Sequence, residues 1–222
     1  MRAAALAGLQ SEARCLRAGS GLDTAALTIA VSGAEAARAR SAARELAAGH
    51  PSVLVSFGLA GGLDPALTPG ALVVPAAVIM ADGRALAAAP GWCAAIRQDL
   101  RFSPSEGDVA ASGLPVTTAA AKARLYAASG AAIVDMESAA VAEAAVAAGI
   151  PFLVIRAVCD PATRSVPEAL TQLIGPAGRL RPAGIPGLVA HLPAAVALAR
   201  DSRRGLRSLR WAAAALGGCC QL

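Results

Sequence analysis

Aromatic residues and histidines are scarce in this chain of 222 residues. Only 3% of the residues are aromatic, so few rings are available to stack on a base, and the only histidines are His50 and His191. A histidine-based metal site or catalytic triad is therefore not expected. The five cysteines are irregularly spaced and form no Cys-x-x-Cys pair, which argues against a disulfide framework or a zinc site and favours a reduced, cytoplasmic setting.

Long apolar runs suited to a membrane span are also missing, although 56% of the residues are hydrophobic. The charge-free run at residues 182–199, which no other run exceeds in length, is interrupted by prolines, glycines and His191 and is a poor candidate for a spanning helix. The net charge of +5 is mild, and much of it comes from the last twenty-five residues. Because no basic and aromatic residues alternate, no nucleic-acid partner is expected.

Alternating strand and helix patterns predict an α/β sandwich. The length suits one domain with a sizeable core. The segment 80–107 is the least legible, and the Pro/Gly-rich segment 161–186 predicts only short helical pieces. The predicted strands are 2–6, 26–31, 53–57, 71–79, 108–112, a short one from residue 133, and 152–158. The predicted helices are 10–17, 34–48, 92–100, 119–128, one that Glu137 opens, and 188–216.

Two carboxylates and an arginine mark one edge of the predicted sheet. Glu137 opens an Ala-rich helix, whose N-terminus favours an anion. Asp160 follows the apolar run 152–158, and ligands of open α/β sheets gather at the carboxyl ends of parallel strands. Either carboxylate alone could be a simple helix-start or capping residue, but together with Arg156 they predict a site. A buried carboxyl group with a raised pKa can act as a general acid.

Two further features accompany this segment. The sequence GLAGGL, residues 58–63, predicts a glycine turn after a strand, where backbone amides could hold a phosphate, a ribose or a nucleophilic water. It matches neither a dinucleotide-binding fingerprint nor a phosphate-binding P-loop. Glu12 lies at the first strand–helix junction, where a helix glutamate taken alone is usually exposed.

The order of these pieces is recognisable. GLAGGLDPALTPGALVV followed by VDMESAAVAEAAVAAGIPFLVIRAVCD resembles the nucleoside phosphorylase and nucleosidase superfamily, which includes methylthioadenosine/adenosylhomocysteine nucleosidase. The resemblance covers most of residues 1–161. It implies a three-layer α/β/α sandwich with a central mixed β-sheet, of the phosphorylase/hydrolase type. Residues 1–190 would form this domain, and 191–222 a basic amphipathic helix and tail within it or appended to it.

The resemblance also implies a role for each matching residue. Asp160 would protonate or hydrogen-bond N7 of a purine, Arg156 would orient the acidic groups, and Glu12 falls where the nucleosidases carry a catalytic glutamate. Glu137 would bind the ribose hydroxyls, with Met136 against the sugar. The backbone of Gly58, Leu59, Ala60 and Gly61 would face the nucleophile. No cofactor is implied beyond phosphate as a possible co-substrate.

The chain departs from the family pattern at two places. Leu59 stands where many members have a serine or threonine that helps to hold the nucleophile. The stretch 113–118 has no aromatic residue, so Leu114 and Val116 would line a more aliphatic pocket. Glu12 favours water as the nucleophile, whereas the subfamily resemblance favours phosphate, for which Arg14 or Arg38 would be candidate ligands. Both nucleophiles remain open.

The Cys-Asp-Pro sequence and the basic tail LARDSRRGLRSLR look most like the hopanoid-associated phosphorylases, which implies release of adenine from adenosylhopane. The alternatives are a methylthioadenosine/adenosylhomocysteine nucleosidase and a non-catalytic nucleoside-binding protein. The resemblance further implies a homo-oligomer. The tail combines an apolar stripe with five arginines, a pattern found both in ordinary packed helices and in helices that lie on anionic membranes. A peripheral contact with the inner membrane is one expectation for a cytoplasmic protein with a lipid-linked substrate.

Overall fold

The structure, a computed structural model, describes residues 1–33, 35–100, 103–171 and 189–221. The strands are β1 (Ala3–Ala7), β2 (Leu27–Val31), β3 (Val53–Gly62), β4 (Leu72–Val73), β5 (Ala77–Ile79), β6 (Ala85–Ala87), β7 (Val109–Ala111), β8 (Ile133–Asp135) and β9 (Phe152–Asp160). The helices are α1 (Gln10–Ser20), α2 (Ala36–Ala48), α3 (Pro90–Asp99), α4 (Ala119–Ser129), α5 (Ser138–Ala148), α6 (Glu168–Thr171) and α7 (Leu192–Gln221).

One mixed sheet organises the described part of the chain. Its strand order is β2-β1-β3-β8-β7-β5-β6, and β9 pairs with β3 and β4. Strand β3 is central because it is parallel to β1 and to β9 and ends antiparallel to β8. Helices α1, α3 and α7 cover one face of the sheet, and α2 and α5 cover the other. The predicted α/β/α sandwich with a mixed sheet is confirmed.

The predicted glycine turn at residues 58–63 is wrong for most of its length. Residues Gly58 to Gly62 continue β3, which runs to ten residues. Glycine has no side chain to show in a hydrophobic pattern, so the sequence looks like a turn although β9 and β8 pair with this half of the strand. The register shifts between Ala60 and Gly61, which is a local bulge and often accompanies a functional edge.

Two other element predictions need correction. The predicted strand 71–79 is two short strands, β4 and β5, with Pro75 between them, and they pair with different neighbours. Strand β6 was missed because three residues at the edge of a sheet carry too little pattern. The predicted C-terminal helix extends to Gln221. Residue 34, which opened the predicted second helix, residues 172–186 of the Pro/Gly-rich segment and residue 188 lie outside the described residues.

Helix α7 packs tightly into the fold. Glycines allow this close packing: a Cβ at Gly19 would lie 2.7 Å from the Cβ of Ala213, and one at Gly205 would lie 2.5 Å from Cδ2 of Leu59. Leu209 and Leu216 are fully buried on the inner face. The division into residues 1–190 and 191–222 stays a prediction, but the C-terminal helix contributes to the core. No described helix is long and apolar enough to cross a membrane.

Candidate active site

The functional side chains predicted from the sequence gather at one edge of the sheet. Strands β3 and β9 run in parallel, with Gly58 opposite Arg156 and Gly61 opposite Asp160. Glu12 lies in the first turn of α1, which follows β1, and Glu137 is the N-cap residue of α5. The carboxyl ends of parallel strands meet at one edge, so these four residues, which come from three separate segments of the chain, become neighbours of the same pair of strands.

Arg156 is the centre of this cluster and is fully buried. Its Nη2 donates to Oγ of Ser56 at 2.7 Å and contacts Oε2 of Glu137 at 3.3 Å, and its Nη1 donates to the carbonyl oxygen of Leu59 at 3.2 Å. Its Nε lies 2.6 Å from Oδ2 of Asp135. That contact is electrostatic, because Nε has no hydrogen bond of good geometry. Burial alone would lower the pKa of Arg156, but Asp135, Glu137 and Glu12 raise it, so the guanidinium stays charged.

Glu12 is buried, not exposed as a helix glutamate usually is. Its Oε2 accepts a hydrogen bond from the amide of Leu9 and its Oε1 from the amide of Leu59, both at 2.8 Å. Glycine at position 58 is required here, because a Cβ would lie 2.6 Å from Nη1 of Arg156 and 2.8 Å from the Glu12 carboxyl group. Burial raises the pKa of Glu12, while Arg156 and the two amides oppose that effect. Glu12 is thus a base of increased strength.

Glu137, like Asp135 and Glu12, interacts electrostatically with the guanidinium group of Arg156. Its Oε1 is within 3.5 Å of Oγ of the buried Ser32, and a Cβ at Gly8 would lie 2.9 Å from the same oxygen. Burial raises the pKa of Glu137 to about 7, and the nearby carboxylates add to this while Arg156 opposes it. Glu137 therefore titrates in the neutral range, where it can bind or release a proton, as is typical of groups at functional sites.

Asp160 forms a second centre at the end of β9. Its Oδ2 is paired with Nζ of Lys122, and its Oδ1 accepts from the thiol of Cys159 at 3.3 Å. The carboxyl group lies over Gly61, where a Cβ would be 3.5 Å from Oδ1. Burial raises the pKa of Asp160, and Lys122 opposes that increase. A carboxyl group of this kind can donate a proton.

The remaining residues predicted for the site differ in their contacts and in their burial. Both polar backbone atoms of Leu59 are engaged, since its amide binds Glu12 and its carbonyl binds Arg156. Met136 is half-buried between β8 and α5. Val116 is half-buried against the small cluster that contains Leu63 and Val134, whereas the side chain of Leu114 is 76% exposed.

Several residues of the site were missed in the sequence. Asp135 and the buried serines Ser56 and Ser138 form the network behind Arg156: Ser138 donates to Asp135, and the two hydroxyl groups lie 3.1 Å apart. Lys122 lies in the predicted helix 119–128, and no role was predicted for it. One signal could have found it, because it is the only lysine in a chain whose other basic residues are all arginine.

This arrangement can perform acid–base chemistry. A carboxyl group with a raised pKa at Asp160 can deliver a proton, and Glu12 can accept one, while Arg156 holds the acidic groups without screening by water. Among the described residues, no group of three or more histidine, cysteine, aspartate or glutamate side chains could hold a metal ion.

The fold is shared with solved nucleosidase structures. The methylthioadenosine/adenosylhomocysteine nucleosidase of Neisseria meningitidis superposes with a TM-score of 0.76 at 16% identity, covering 98% of this chain and 99% of that one. The futalosine hydrolase of Helicobacter pylori gives 0.72 at 16% identity, with 96% and 97% covered. The nucleosidase of Colwellia psychrerythraea gives 0.68 at 20% identity, with 94% and 96% covered.

A search of curated protein sequences found no match. The family model of the phosphorylase superfamily, by contrast, matches residues 18–176, which is more than half of the chain and includes β3, β9, Glu137, Arg156 and Asp160. The chain therefore belongs to the phosphorylase superfamily.

Proposed function

We propose that this protein cleaves the N-glycosidic bond of an adenine nucleoside. One observation carries the proposal: Glu12, Glu137 and Arg156 form one buried cluster, and Asp160 lies at the same edge of β3 and β9. A base and an acid are thereby available to opposite ends of one substrate. The solved relatives support adenine as the leaving group, since the Colwellia nucleosidase was crystallised with adenine.

The proposed reaction proceeds through a sugar with oxocarbenium character. The C1′–N9 bond breaks and its electron pair moves into the purine, while Asp160 gives its proton to N7. Glu12 takes a proton from the attacking water, whose oxygen bonds to C1′. Glu137 accepts hydrogen bonds from the ribose hydroxyl groups, and Met136 packs against the sugar. Adenine and the free sugar leave, and the proton on Glu12 returns through solvent to Asp160.

Water is the proposed nucleophile. The buried carboxylate of Glu12 can activate water but repels phosphate. Phosphate needs cationic ligands, and the candidates are poorly suited to this role: Arg38 pairs with Glu35 at 2.9 Å on the surface, Arg14 is exposed on α1, and Arg156 is already compensated by Asp135 and Glu137. These positions support hydrolysis over phosphorolysis, and no cofactor takes part.

The proposed substrate is adenosylhopane, used in hopanoid biosynthesis. The resemblance of Cys159-Asp160-Pro161 and of the arginine-rich tail to hopanoid-associated members supports it. The aliphatic stretch that contains Leu114 and Val116 suits a lipid substituent, because an exposed Leu114 can cover apolar surface when a ligand binds. The names of the solved relatives support methylthioadenosine or adenosylhomocysteine as the alternative substrate. A non-catalytic nucleoside-binding protein would not need Glu12 and Asp160 together.

One assay tests the reaction. The protein is incubated with adenosylhopane and with methylthioadenosine, each with and without phosphate, and adenine release is followed. We expect adenine release from adenosylhopane that does not depend on phosphate. A strict phosphate requirement would refute the hydrolytic route, and adenine release from methylthioadenosine alone would refute the substrate. No adenine release from either substrate would leave only nucleoside binding.

A lipid-linked substrate would bring the protein to the cytoplasmic face of a membrane, and we propose that α7 makes this contact. Its outer face presents Arg200, Arg203, Arg204 and Arg207 beside Val196, which is 59% exposed, around a surface groove of about 490 Å³. A basic face with exposed apolar residues is attracted to anionic lipid, by about 1 kcal/mol for each arginine near the surface.

Charge-neutral substitutions test this contact better than truncation, because Leu209 and Leu216 of α7 are core residues. We expect Arg203→Gln with Arg207→Gln to weaken binding to vesicles containing anionic lipid by about tenfold or more. The control is Arg40→Gln with Arg44→Gln, which removes two exposed charges from α2. An equal loss in both variants would show that only net charge matters.

We also propose a homo-oligomer, which light scattering after size-exclusion chromatography would detect; a monomeric mass would refute it.

A further inference from the structure

Lys122 is a buried ammonium group for which the proposed reaction has so far no use. Its side chain is fully buried although it lies on α4, and its Nζ is paired with Oδ2 of Asp160. The same nitrogen donates to the carbonyl oxygens of Pro161 at 3.0 Å and of Arg164 at 3.1 Å. An ammonium group has three donors, and all three have acceptors here.

The segment that holds Lys122 is itself anchored. The guanidinium group of Arg164 donates from Nη1 to Oδ2 of Asp201 at 2.6 Å. Asp201 is a fully buried carboxylate of α7 and also contacts Arg200 and Arg204. The turn after β9 is therefore tied to α7, and its two carbonyl groups fix Lys122 against Asp160.

The two oxygens of Asp160 consequently differ. Oδ2 is fixed by Lys122, whereas Oδ1 has the thiol of Cys159 at 3.3 Å. A thiol is a weak hydrogen-bond donor, so a purine nitrogen can replace it at little cost. Oδ1 is thus the oxygen that is available to a substrate.

We propose that Lys122 is a positioning residue for proton donation: it fixes Oδ2 of Asp160, so that Oδ1 is presented to N7 of the purine. This inference rests on the proposed nucleosidase function. The groups that face Asp160 are Lys122 from α4, the Cys159 thiol from β9 and Arg164 from the turn that follows. Burial raises the pKa of Asp160, and without Lys122 only Arg164 and the thiol would oppose that increase. The carboxyl group would then become a weaker acid than the reaction needs.

A pair of substrates separates this role from a merely structural one. Purine release needs a proton on N7, whereas release of nitrophenolate from 4-nitrophenyl riboside needs none. We expect Lys122→Met to lower kcat on the adenine nucleoside by about tenfold or more, a typical cost of misplacing a catalytic group. The same variant should leave nitrophenolate release within about twofold of wild type, because misplacing the acid affects only a step that needs its proton. Lys122→Arg, which keeps the charge, should lie between Lys122→Met and wild type.

The pH profile provides a second readout. In Lys122→Met we expect the basic limb of kcat/KM for the adenine nucleoside to move to higher pH by about one unit, because the counter-charge of Asp160 is lost. An equal loss on both substrates with an unmoved basic limb would overturn the proposal. If Lys122→Met does not fold, Lys122→Gln takes its place with the same expected outcomes.

A direct titration distinguishes failure of this inference from failure of the proposed function. Carbon-13 labelling of aspartate allows the Asp160 carboxyl group to be titrated by NMR without any turnover. If wild-type protein cleaves neither nucleoside, the proposed function is wrong, and this titration then decides only whether Lys122 pairs with Asp160 and lowers its pKa. A higher pKa of Asp160 in Lys122→Met than in wild type supports the pairing, and an unchanged pKa refutes it.

Discussion

Replacing Glu137 with glutamine should stabilise the protein while impairing it as an enzyme. The carboxyl group of Glu137 is buried, and its pKa rises from an ordinary value of 4.5 to about 7. Because the pKa is higher in the folded state, this group favours folding fully below pH 4.5, and the contribution is lost as the pH rises through 4.5 towards 7. Glutamine resembles the protonated carboxyl group at every pH and avoids that loss.

The size of the effect follows from the same two pKa values. At about 1.4 kcal/mol for each pKa unit, ionised Glu137 costs about 3 kcal/mol of stability at pH 8, where it is charged in both states. At pH 5 the cost is only about 1 kcal/mol, because folded Glu137 is still protonated. The stability difference between Glu137→Gln and wild type should therefore be about 2 kcal/mol more favourable at pH 8 than at pH 5.

Urea unfolding followed by circular dichroism at pH 5, 6, 7 and 8 measures this difference directly. Titrating groups outside this cluster, such as Asp160, are present in both proteins and largely cancel. Steady-state kinetics on the same samples should show a loss of about 10- to 100-fold in kcat/KM, since a charged acceptor for the ribose hydroxyl groups is gone. A stability difference that stays constant from pH 5 to pH 8 would refute the assignment of the raised pKa to Glu137.

Three other substitutions test separate parts of the structure. Asp160→Asn should reduce kcat by about 10²- to 10⁴-fold and leave binding of the nucleoside nearly unchanged by calorimetry; retained turnover would mean that Asp160 is not the acid. Glu12→Gln should reduce kcat on both the adenine nucleoside and 4-nitrophenyl riboside by a similar factor, since both need an activated water; a loss confined to the adenine nucleoside would contradict its role as the base. Gly217→Ala should destabilise the fold by about 1–3 kcal/mol in urea unfolding, because a Cβ there would clash with the backbone oxygen of Ser20. The control Gly218→Ala should be neutral or slightly stabilising, because a Cβ there meets only the side chain of Asp99. Equal effects of the two substitutions would refute the close contact between α1 and α7.

The sequence predicted which side chains gather at the sheet edge better than it predicted the strand that supports them. Glu137, Arg156 and Asp160 were found because each follows or ends a recognisable buried segment. The second half of β3 was taken for a turn, because its glycines have no side chains to reveal a strand. Those glycines are needed for contacts that only the fold creates: at Gly58, a Cβ would collide with Arg156 and Glu12.

Lys122 shows a different limit of sequence reasoning. A charged residue on an Ala-rich helix is normally solvated, so nothing local predicts that Lys122 is fully buried. Its burial depends on Asp160, which lies 38 positions further along the chain. Asp135 was missed for a similar reason, since its pairing with Arg156 depends on β8 ending close to β9. Long-range ion pairs of this kind follow from strand order, which one sequence does not reveal.

Gly205 limits which amino-acid substitutions α7 can tolerate. By lacking a side chain, it lets α7 rest directly against Leu59 of β3 and Val158 of β9. The inner face of α7 therefore supports the strands of the candidate active site, while Arg203 and Arg207, each two positions away, point into solvent. Mutational tolerance along α7 should alternate with the helical repeat. Arg203 and Arg207 can be exchanged to suit a new partner or membrane without disturbing the candidate active site, whereas position 205 is closed to almost any substitution.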